Sequence, residues 1–182
     1  KTQRVDISRR RFLVGSAAAG AGFSLGLYLP LARSEAQAEE ATLEVNAWVV
    51  IEPDDTVIIR IARSEMGQGT LTGLAQLVVE ELECDWSRVK TEYPTPGQSL
   101  AHDRAWGSFS TGGSQGIRGS HQYVREGGAA AREMLIEAAA DVWGVPVGEC
   151  HVSASVITHR PTGRTTTYGQ VASAASQLVP PF

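Results

Sequence analysis

The chain has 182 residues, and its 42% apolar and 20% charged residues are typical of a folded globular protein and exclude a disordered one. Sixteen basic and twenty acidic residues give a net charge of −4, which argues against a general nucleic-acid binder. Cys84 and Cys150 are far apart, so the chain has no local zinc knuckle, c-type haem or four-cysteine iron–sulfur cluster. Since the sequence begins at Lys1 and ends just after a predicted helix, we expect the front of a longer polypeptide.

The first 38 residues predict an export signal. Residues 8–14 read SRRRFLV and match the twin-arginine pattern, and Ala36-Gln37-Ala38 offers a cleavage site. The uncharged stretch 15–31 between them is of marginal length for a membrane span, and the alternative is a basic arm before a buried helix. Cleavage after Ala38 leaves 144 residues with a net charge of −8. Because this route exports folded proteins, usually with a cofactor inserted, we expect a periplasmic cofactor protein, free or attached to the inner membrane.

The first half of the remaining chain, residues 39–182, predicts two strands, a helix and a third strand. Residues 43–52 and 56–62 are rich in β-branched and apolar side chains, and the turn residues between them predict a β-hairpin. Leucines and valines then recur at helical spacing, which predicts a helix from Thr70 to Glu83. A short strand is predicted over residues 88–93.

The second half predicts a loop, a long helix and a final strand and helix. Residues 97–113 are polar and aperiodic, whereas apolar positions from Ile117 to Val142 recur every four and three residues, which predicts one long helix. Gly127-Gly128 would let this helix pack closely on a backbone, a buried ligand or a sheet. A strand over 149–158 and a helix over 168–177 follow. The order of elements predicts an α+β fold with α/β layers.

Two glycine-rich turns stand immediately before two of the predicted helices. Gly67-Gln68-Gly69 precedes the first, and Gly112-Gly113-Ser114 precedes the second. Such a turn lets the backbone approach a ligand, and the helix start behind it presents unpaired N–H groups, so each turn could bind phosphate or pyrophosphate. The alternative for each is an ordinary turn. Neither is a P-loop or a dinucleotide fingerprint, which disfavours ATP and NAD.

Other chemistry-bearing residues give weaker signals. The four histidines, His102, His121, His151 and His159, form no HxH or HExxH pair, so core or surface roles are favoured over metal ligation. Ser114 lacks the G-x-S-x-G pattern of a hydrolase nucleophile. Glu80-Glu81 are typical of a solvated helix face. We therefore expect no metal site built from these side chains.

Two strings in the sequence resemble a known family. EMGQGTLTGLAQLVVEELECDW, residues 65–86, and STGGSQGIRGSHQYVREGGAAAREML, residues 110–135, are similar to the molybdopterin-binding domain of the xanthine dehydrogenase–aldehyde oxidase family. With the leader, the chain most resembles the large (beta) subunits of its isoquinoline 1-oxidoreductase and membrane-associated aldehyde dehydrogenase branch. The resemblance implies that residues 39–182 are the N-terminal, incomplete part of a molybdopterin-binding domain.

The resemblance also implies roles for the two turns. Gly67, Gln68 and Gly69 would line a molybdenum–molybdopterin cofactor, in its plain or cytosine dinucleotide form, with the Gln68 amide as a hydrogen-bonding group. The second cradle would comprise Gly112, Gly113, Ser114 and Gln115. The catalytic base of the family is a glutamate near the end of the subunit. No residue matches that motif, so we expect the base outside this chain and the chain alone to be inactive.

By the same resemblance, the whole enzyme would hydroxylate a carbon next to nitrogen or oxygen, with water as the oxygen source. The expected substrate is an isoquinoline-like N-heteroaromatic; the alternatives are an aldehyde and, from another class, a non-catalytic periplasmic anion-binding module. Electrons would pass to a partner subunit that carries [2Fe–2S] clusters, because this chain lacks the cysteines. In aldehyde-oxidising relatives cytochrome c passes them onward.

Overall fold

A computed structural model describes residues 43–181 of the chain. All described residues belong to one compact unit, Ala41–Phe182. The predicted export signal and its cleavage site lie outside the described residues. Within residues 43–181, none of the helices combines the length and apolar character that crossing a bilayer requires.

The first sheet has four strands in the order β1-β2-β3-β4. Its strands are β1 (Leu43–Glu44), β2 (Val49–Ile51), β3 (Val57–Arg60) and β4 (Val89–Glu92). The first three form an antiparallel meander, whereas β4 lies parallel to β3. A parallel pair needs a long crossover, and here the crossover contains the first helix.

The predicted hairpin of β2 and β3 is confirmed, but the single strand predicted over 43–52 is wrong. The chain reverses between β1 and β2, because the side-chain oxygen of Asn46 accepts from the backbone N–H groups of Trp48 and Val49, both at 3.0 Å. This local turn competes with strand continuation and converts one long strand into two short ones.

Within residues 43–181, five α-helices accompany the sheets: α1 (Thr70–Leu82), α2 (Pro96–Ala101), α3 (Gln115–Arg118), α4 (His121–Trp143) and α5 (Tyr168–Ala175). The sequence predicted α1, α4 and α5 but missed α2 in the segment assigned to a loop. Its signal was a capping box, in which Thr95 and Gln98 bond each other's backbone N–H groups across Pro96.

The long helix predicted from residue 117 to residue 142 is wrong at its start, whereas its end is confirmed because α4 continues to Trp143. It is interrupted before α4, so Ile117 lies on the separate four-residue helix α3 and is 39% exposed. At the other end Val142 is 67% exposed. The middle of the predicted face is buried, as its period requires, from Val124 to Ala138.

The second sheet has three antiparallel strands, β5 (Cys150–Ser153), β6 (Val156–His159) and β7 (Arg164–Thr167). The strand predicted over 149–158 is therefore a hairpin rather than one strand. Its turn residues Ala154 and Ser155 both take positive φ, 48° and 65°. Such turns match the twist of the strands but usually contain glycine or asparagine, so the sequence carried no turn signal here.

The core lies between the first sheet and helices α1, α4 and α5. The fully buried side chains include Val49, Ile51, Val57, Ile59, Leu74, Leu82, Leu135 and Tyr168. Tyr168 donates its hydroxyl to the carbonyl of Leu82, which ties α5 to the end of α1. Both cysteines are free thiols, and burial raises the pKa of Cys84 to about 12.

The contact between α1 and α4 depends on a glycine. A Cβ added at Gly128 would lie 2.6 Å from the carbonyl oxygen of Val78 on α1, and one at Gly127 would lie 3.0 Å from the Trp48 ring. The sequence allowed three partners for these glycines: a backbone, a buried ligand or a sheet. In the structure Gly128 packs against the backbone of α1, and Gly127 packs against the indole of Trp48.

We expect Gly128→Ala to destabilise the fold by about 1–2 kcal/mol, because overpacking against a backbone carbonyl outweighs the gain in helix propensity. Gly148→Ala is the matched control, since a Cβ there meets nothing within 4 Å and its φ is not positive. The free energy of unfolding in urea checks both variants. Equal stability of Gly128→Ala and wild type would contradict the close contact.

Candidate functional site

Residues of both glycine-rich turns line one open cleft of about 450 Å³. We call residues 63–69 the first loop and residues 108–114 the second loop. The wall includes Gln68 and Thr70 on one side and the run from Thr111 to Arg118 on the other. Five of the seven predicted site residues line it directly: Gln68, Gly112, Gly113, Ser114 and Gln115. Gly67 and Gly69 belong to the first loop beside this wall.

The backbone of the first loop folds around the carboxylate of Glu65. One oxygen accepts from the N–H groups of Gly67 and Gly69 at 2.7 and 2.9 Å, and the other accepts from Leu71 at 3.0 Å. The bonds from Leu71 and Gly69 hold the pKa of Glu65 below its usual range, against a smaller opposing effect of burial. The chain's own carboxylate therefore lies at the start of α1, and the N–H groups of Gly67, Gly69 and Leu71 are already used.

Gln68 holds the same loop from the other direction. Its amide nitrogen donates to the carbonyl of Ser64 at 2.8 Å, and its amide oxygen accepts from the N–H of Met66 at 2.6 Å. An amide offers two N–H groups and two lone pairs, so one of each remains for a ligand. Gly67 and Gly69 have φ of 91° and 76°, a conformation that favours glycine. Their cofactor role stays a prediction.

The second loop precedes α3 and not the long helix that the sequence predicted. Gly113 and Ser114 both take positive φ, and the Ser114 side chain makes no capping bond to α3. Gly112 has neither a positive φ nor any atom within 4 Å of an added Cβ. Neither strain nor protein packing requires a glycine at 112, and an open backbone on the cleft wall fits the close approach of a ligand.

The cleft wall is rich in donors and lacks acids. Hydroxyls of Thr70, Thr111 and Ser114 and the amides of Gln68 and Gln115 line it, and its one charged residue is Arg118. Arg118 is exposed and forms no salt bridge with the residues that the structure describes. In a segment with a net charge of −8, a wall with one cation and no carboxylate suits an anionic ligand with many acceptor atoms.

Arg63 joins the two loops. Its Nη1 donates to the carbonyls of Ser108 and Ser110 at 2.7 and 2.6 Å, and its Nε donates to the hydroxyl of Ser120 at 3.0 Å. Beside it, the N–H of Ser64 donates to the Thr111 hydroxyl at 2.9 Å. Neither Arg63 nor Glu65 was among the predicted site residues. The acceptors of Arg63 lie 45, 47 and 57 positions away and leave no local signal, whereas Glu65 accepts from N–H groups two, four and six positions ahead, so its place just before the glycine turn could have indicated its role.

The remaining candidates are structural. His159 is buried between Glu149 at 2.8 Å and Thr162 at 2.7 Å, and His102 pairs with Glu44. Glu81, expected on a solvated face, pairs with Arg125 of α4. Between residues 43 and 181 no three His, Cys, Asp or Glu side chains gather as a metal site.

Comparison with protein families matches residues 2–180 to the molybdopterin cofactor-binding domain. The chain is 33% identical over 163 residues to the membrane-bound aldehyde dehydrogenase of Gluconacetobacter polyoxogenes, whose name specifies pyrroloquinoline quinone; the match covers 86% of this chain and 20% of that protein. It is also 33% identical over 181 residues to the isoquinoline 1-oxidoreductase subunit beta of Brevundimonas diminuta, covering 98% of this chain and 23% of that one. The chain thus spans about a fifth of the length of these relatives.

Among solved structures, quinoline 2-oxidoreductase from Pseudomonas putida 86 resembles the chain with a TM-score of 0.51 at 17% identity. The match covers 73% of this chain and 16% of that one. At this identity the likeness shows the fold alone. With the family match, it confirms the predicted mixed fold of helices and sheets as part of a molybdopterin-binding domain.

We expect Glu65→Gln to loosen the first loop at neutral pH, because a neutral amide accepts more weakly from three N–H groups. Since the folded-state pKa of Glu65 is lowered, its contribution is present above the unfolded pKa and is lost as pH falls through the folded value. The difference from wild type should therefore shrink in acid.

Amide-exchange protection factors at Gly67, Gly69 and Leu71, measured across pH, check this prediction. Glu80→Gln is the control, because Glu80 is an exposed carboxylate on α1. Undiminished protection in Glu65→Gln at pH 7 would show that the carboxylate does not hold the loop.

Proposed function

The chain belongs to the molybdopterin cofactor-binding domain family, and from that premise we propose that its two-loop cleft binds a molybdenum–molybdopterin cofactor. The observation that carries the proposal is the convergence of both glycine turns on a wall with one arginine and no acid. A pterin phosphate is an anion with many acceptor atoms, which this wall suits. The plain and cytosine dinucleotide forms share that phosphate.

The residues present fit such a group. Gln68 and the run from Gly112 to Gln115 would hold it, through one free amide N–H, the Ser114 hydroxyl and an open backbone at Gly112. Arg118 would face its negative charge. Glu65 would stay bound within the first loop, which keeps a second anion away from the start of α1. When bound, the cofactor supplies hydroxylation of a carbon next to nitrogen or oxygen, with water as the oxygen source.

We propose that the whole protein is the large subunit of a molybdenum hydroxylase that oxidises an N-heteroaromatic compound. Relatives named for isoquinoline oxidation and for aldehyde oxidation match the chain at equal identity, so the heteroaromatic compound is our proposed substrate and an aldehyde is the alternative. Turnover of isoquinoline against an aliphatic aldehyde by the full-length complex distinguishes them. The catalytic glutamate lies outside this chain in this proposal.

A partner subunit with [2Fe–2S] clusters would take up the electrons, since the two cysteines here are separate free thiols. If the aldehyde alternative is correct, cytochrome c is the proposed next acceptor. Analysis of the purified full-length complex for molybdenum, iron and pyrroloquinoline quinone tests the assignment. Molybdenum with iron is expected; pyrroloquinoline quinone without molybdenum would overturn it, and neither cofactor would favour the anion-binding module.

The variant Gln68→Ala in the full-length complex tests whether the Gln68 amide binds the cofactor. Loss of one buried or charge-assisted hydrogen bond costs about 1.5–3 kcal/mol, so we expect kcat to fall roughly ten- to a hundredfold. The melting temperature should barely move, because Gln68 is exposed and its remaining partners are loop atoms. Gln122→Ala, an exposed glutamine on α4 that bonds Glu126, is the matched control. Unchanged kcat at full molybdenum content would leave Gln68 a loop residue only.

We also propose export to the periplasm by the twin-arginine route, with residues 1–38 as the signal and residues 39–182 as the first part of the exported domain. The support is the SRRRFLV string before an uncharged stretch. Replacing Arg9 and Arg10 by lysine should leave the full-length protein in the cytoplasm, as measured by cell fractionation. Normal periplasmic delivery of this double variant would contradict the proposal.

A further inference from the structure

Arg63 connects the two sides of the cleft without lining it. Its guanidinium donates to two carbonyls of the second loop, those of Ser108 and Ser110, although Arg63 itself is part of the first loop. We propose that Arg63 is the positioning residue that sets the spacing of the two loops and so aligns the bound cofactor. This inference rests on the proposed function of the cleft.

The third bond of Arg63 anchors both loops to the long helix. Its Nε donates to Ser120, a residue with no exposed surface that directly precedes α4. The Ser120 hydroxyl also accepts from the hydroxyl of Tyr123 at 2.7 Å. Tyr123 packs against Trp48, with ring centroids 6.2 Å apart. Through these contacts the packed core helps to fix the spacing of the two loops, in addition to the bonds between their exposed backbone segments.

A planar guanidinium is required for this arrangement. Three acceptors on two segments are reached at once from two nitrogen atoms held in one plane. A lysine ammonium carries the same charge on a single nitrogen and has no second nitrogen for Ser120. If only positive charge near the cleft mattered, lysine would substitute; if the planar arrangement of donors matters, lysine fails.

The experiment compares wild type, Arg63→Lys and the control Arg88→Lys in the full-length complex. Arg88 also donates to a backbone carbonyl, that of Asp54, at 2.8 Å. Amide exchange of both loops, molybdenum per folded subunit, and kcat and KM are measured. We expect Arg63→Lys to exchange faster in both loops and to lose about ten- to a hundredfold in kcat per bound molybdenum, with KM nearly unchanged. Arg88→Lys should match wild type throughout.

Ser120→Ala keeps the test decisive should Arg63→Lys not fold. It removes the acceptor of Nε, and its control Tyr123→Phe removes the other bond to Ser120 but leaves that of Arg63. Faster exchange of residues 108–111 and lower kcat in Ser120→Ala but not in Tyr123→Phe would support the proposal. Equal effects of the two would overturn it.

Three further outcomes would overturn the role of Arg63. The first is wild-type exchange of both loops in Arg63→Lys. The second is faster exchange with wild-type kcat and molybdenum content, which would make the connection structural only. The third is a drop in melting temperature and yield while each folded molecule keeps full activity. Failure of the proposed function is separate, because it would appear as wild-type protein without molybdenum.

Discussion

The parallel pairing of β3 with β4 is the constraint on which the cleft depends. A parallel pair requires a crossover, and the crossover here runs from the end of β3 through the first loop into α1. The first loop thus lies beyond the carboxyl end of β3, where ligands of open α/β sheets bind. The chain beyond the carboxyl end of β4 meets it there, because the N–H of Glu65 donates to the Tyr93 hydroxyl at 3.0 Å. The ends of β3 and β4 therefore position the first loop without any contact from a ligand.

The two loops differ in the charged group that lies beside their backbone. In the first loop Gly67 and Gly69 donate their N–H groups to Glu65, as does Leu71 in the first turn of α1, so an internal anion faces the start of that helix. The second loop keeps an unhindered glycine at 112 and stands beside the exposed cation Arg118. An external anion therefore finds donors mainly on the second side, whereas the first side contributes the neutral amide of Gln68. Glu65 thus orders the first loop, while donors of the second loop stay available for an external anion.

Glycines permit the close packing of helices α1 and α3 beside the cleft. An added Cβ at Gly73 would lie 2.7 Å from Ile117, and one at Gly116 would lie 3.0 Å from the Thr70 hydroxyl oxygen. These two glycines let α3 lie directly on the first turns of α1. Since α3 follows the second loop, the same close packing brings the second loop next to the first. Glycines of the two turns leave the backbone open or take positive φ, whereas Gly73 and Gly116 allow two helices to touch. The sequence alone does not distinguish these two roles.

Local periodicity and chemistry allowed the sequence to predict α1, the β2–β3 hairpin and the inner face of α4, because these are decided by neighbours a few residues apart. The same reasoning, with the family resemblance, predicted both glycine turns of the site. It missed the reversal at Asn46, the turn at Ala154-Ser155 and the interruption before α4, where side-chain or tertiary contacts override the pattern. Only the tertiary structure brought Gln68 and Gly113 to one cleft and gave Arg63 its acceptors 45 and 47 positions away, because such contacts depend on the crossover and leave no local period in the sequence.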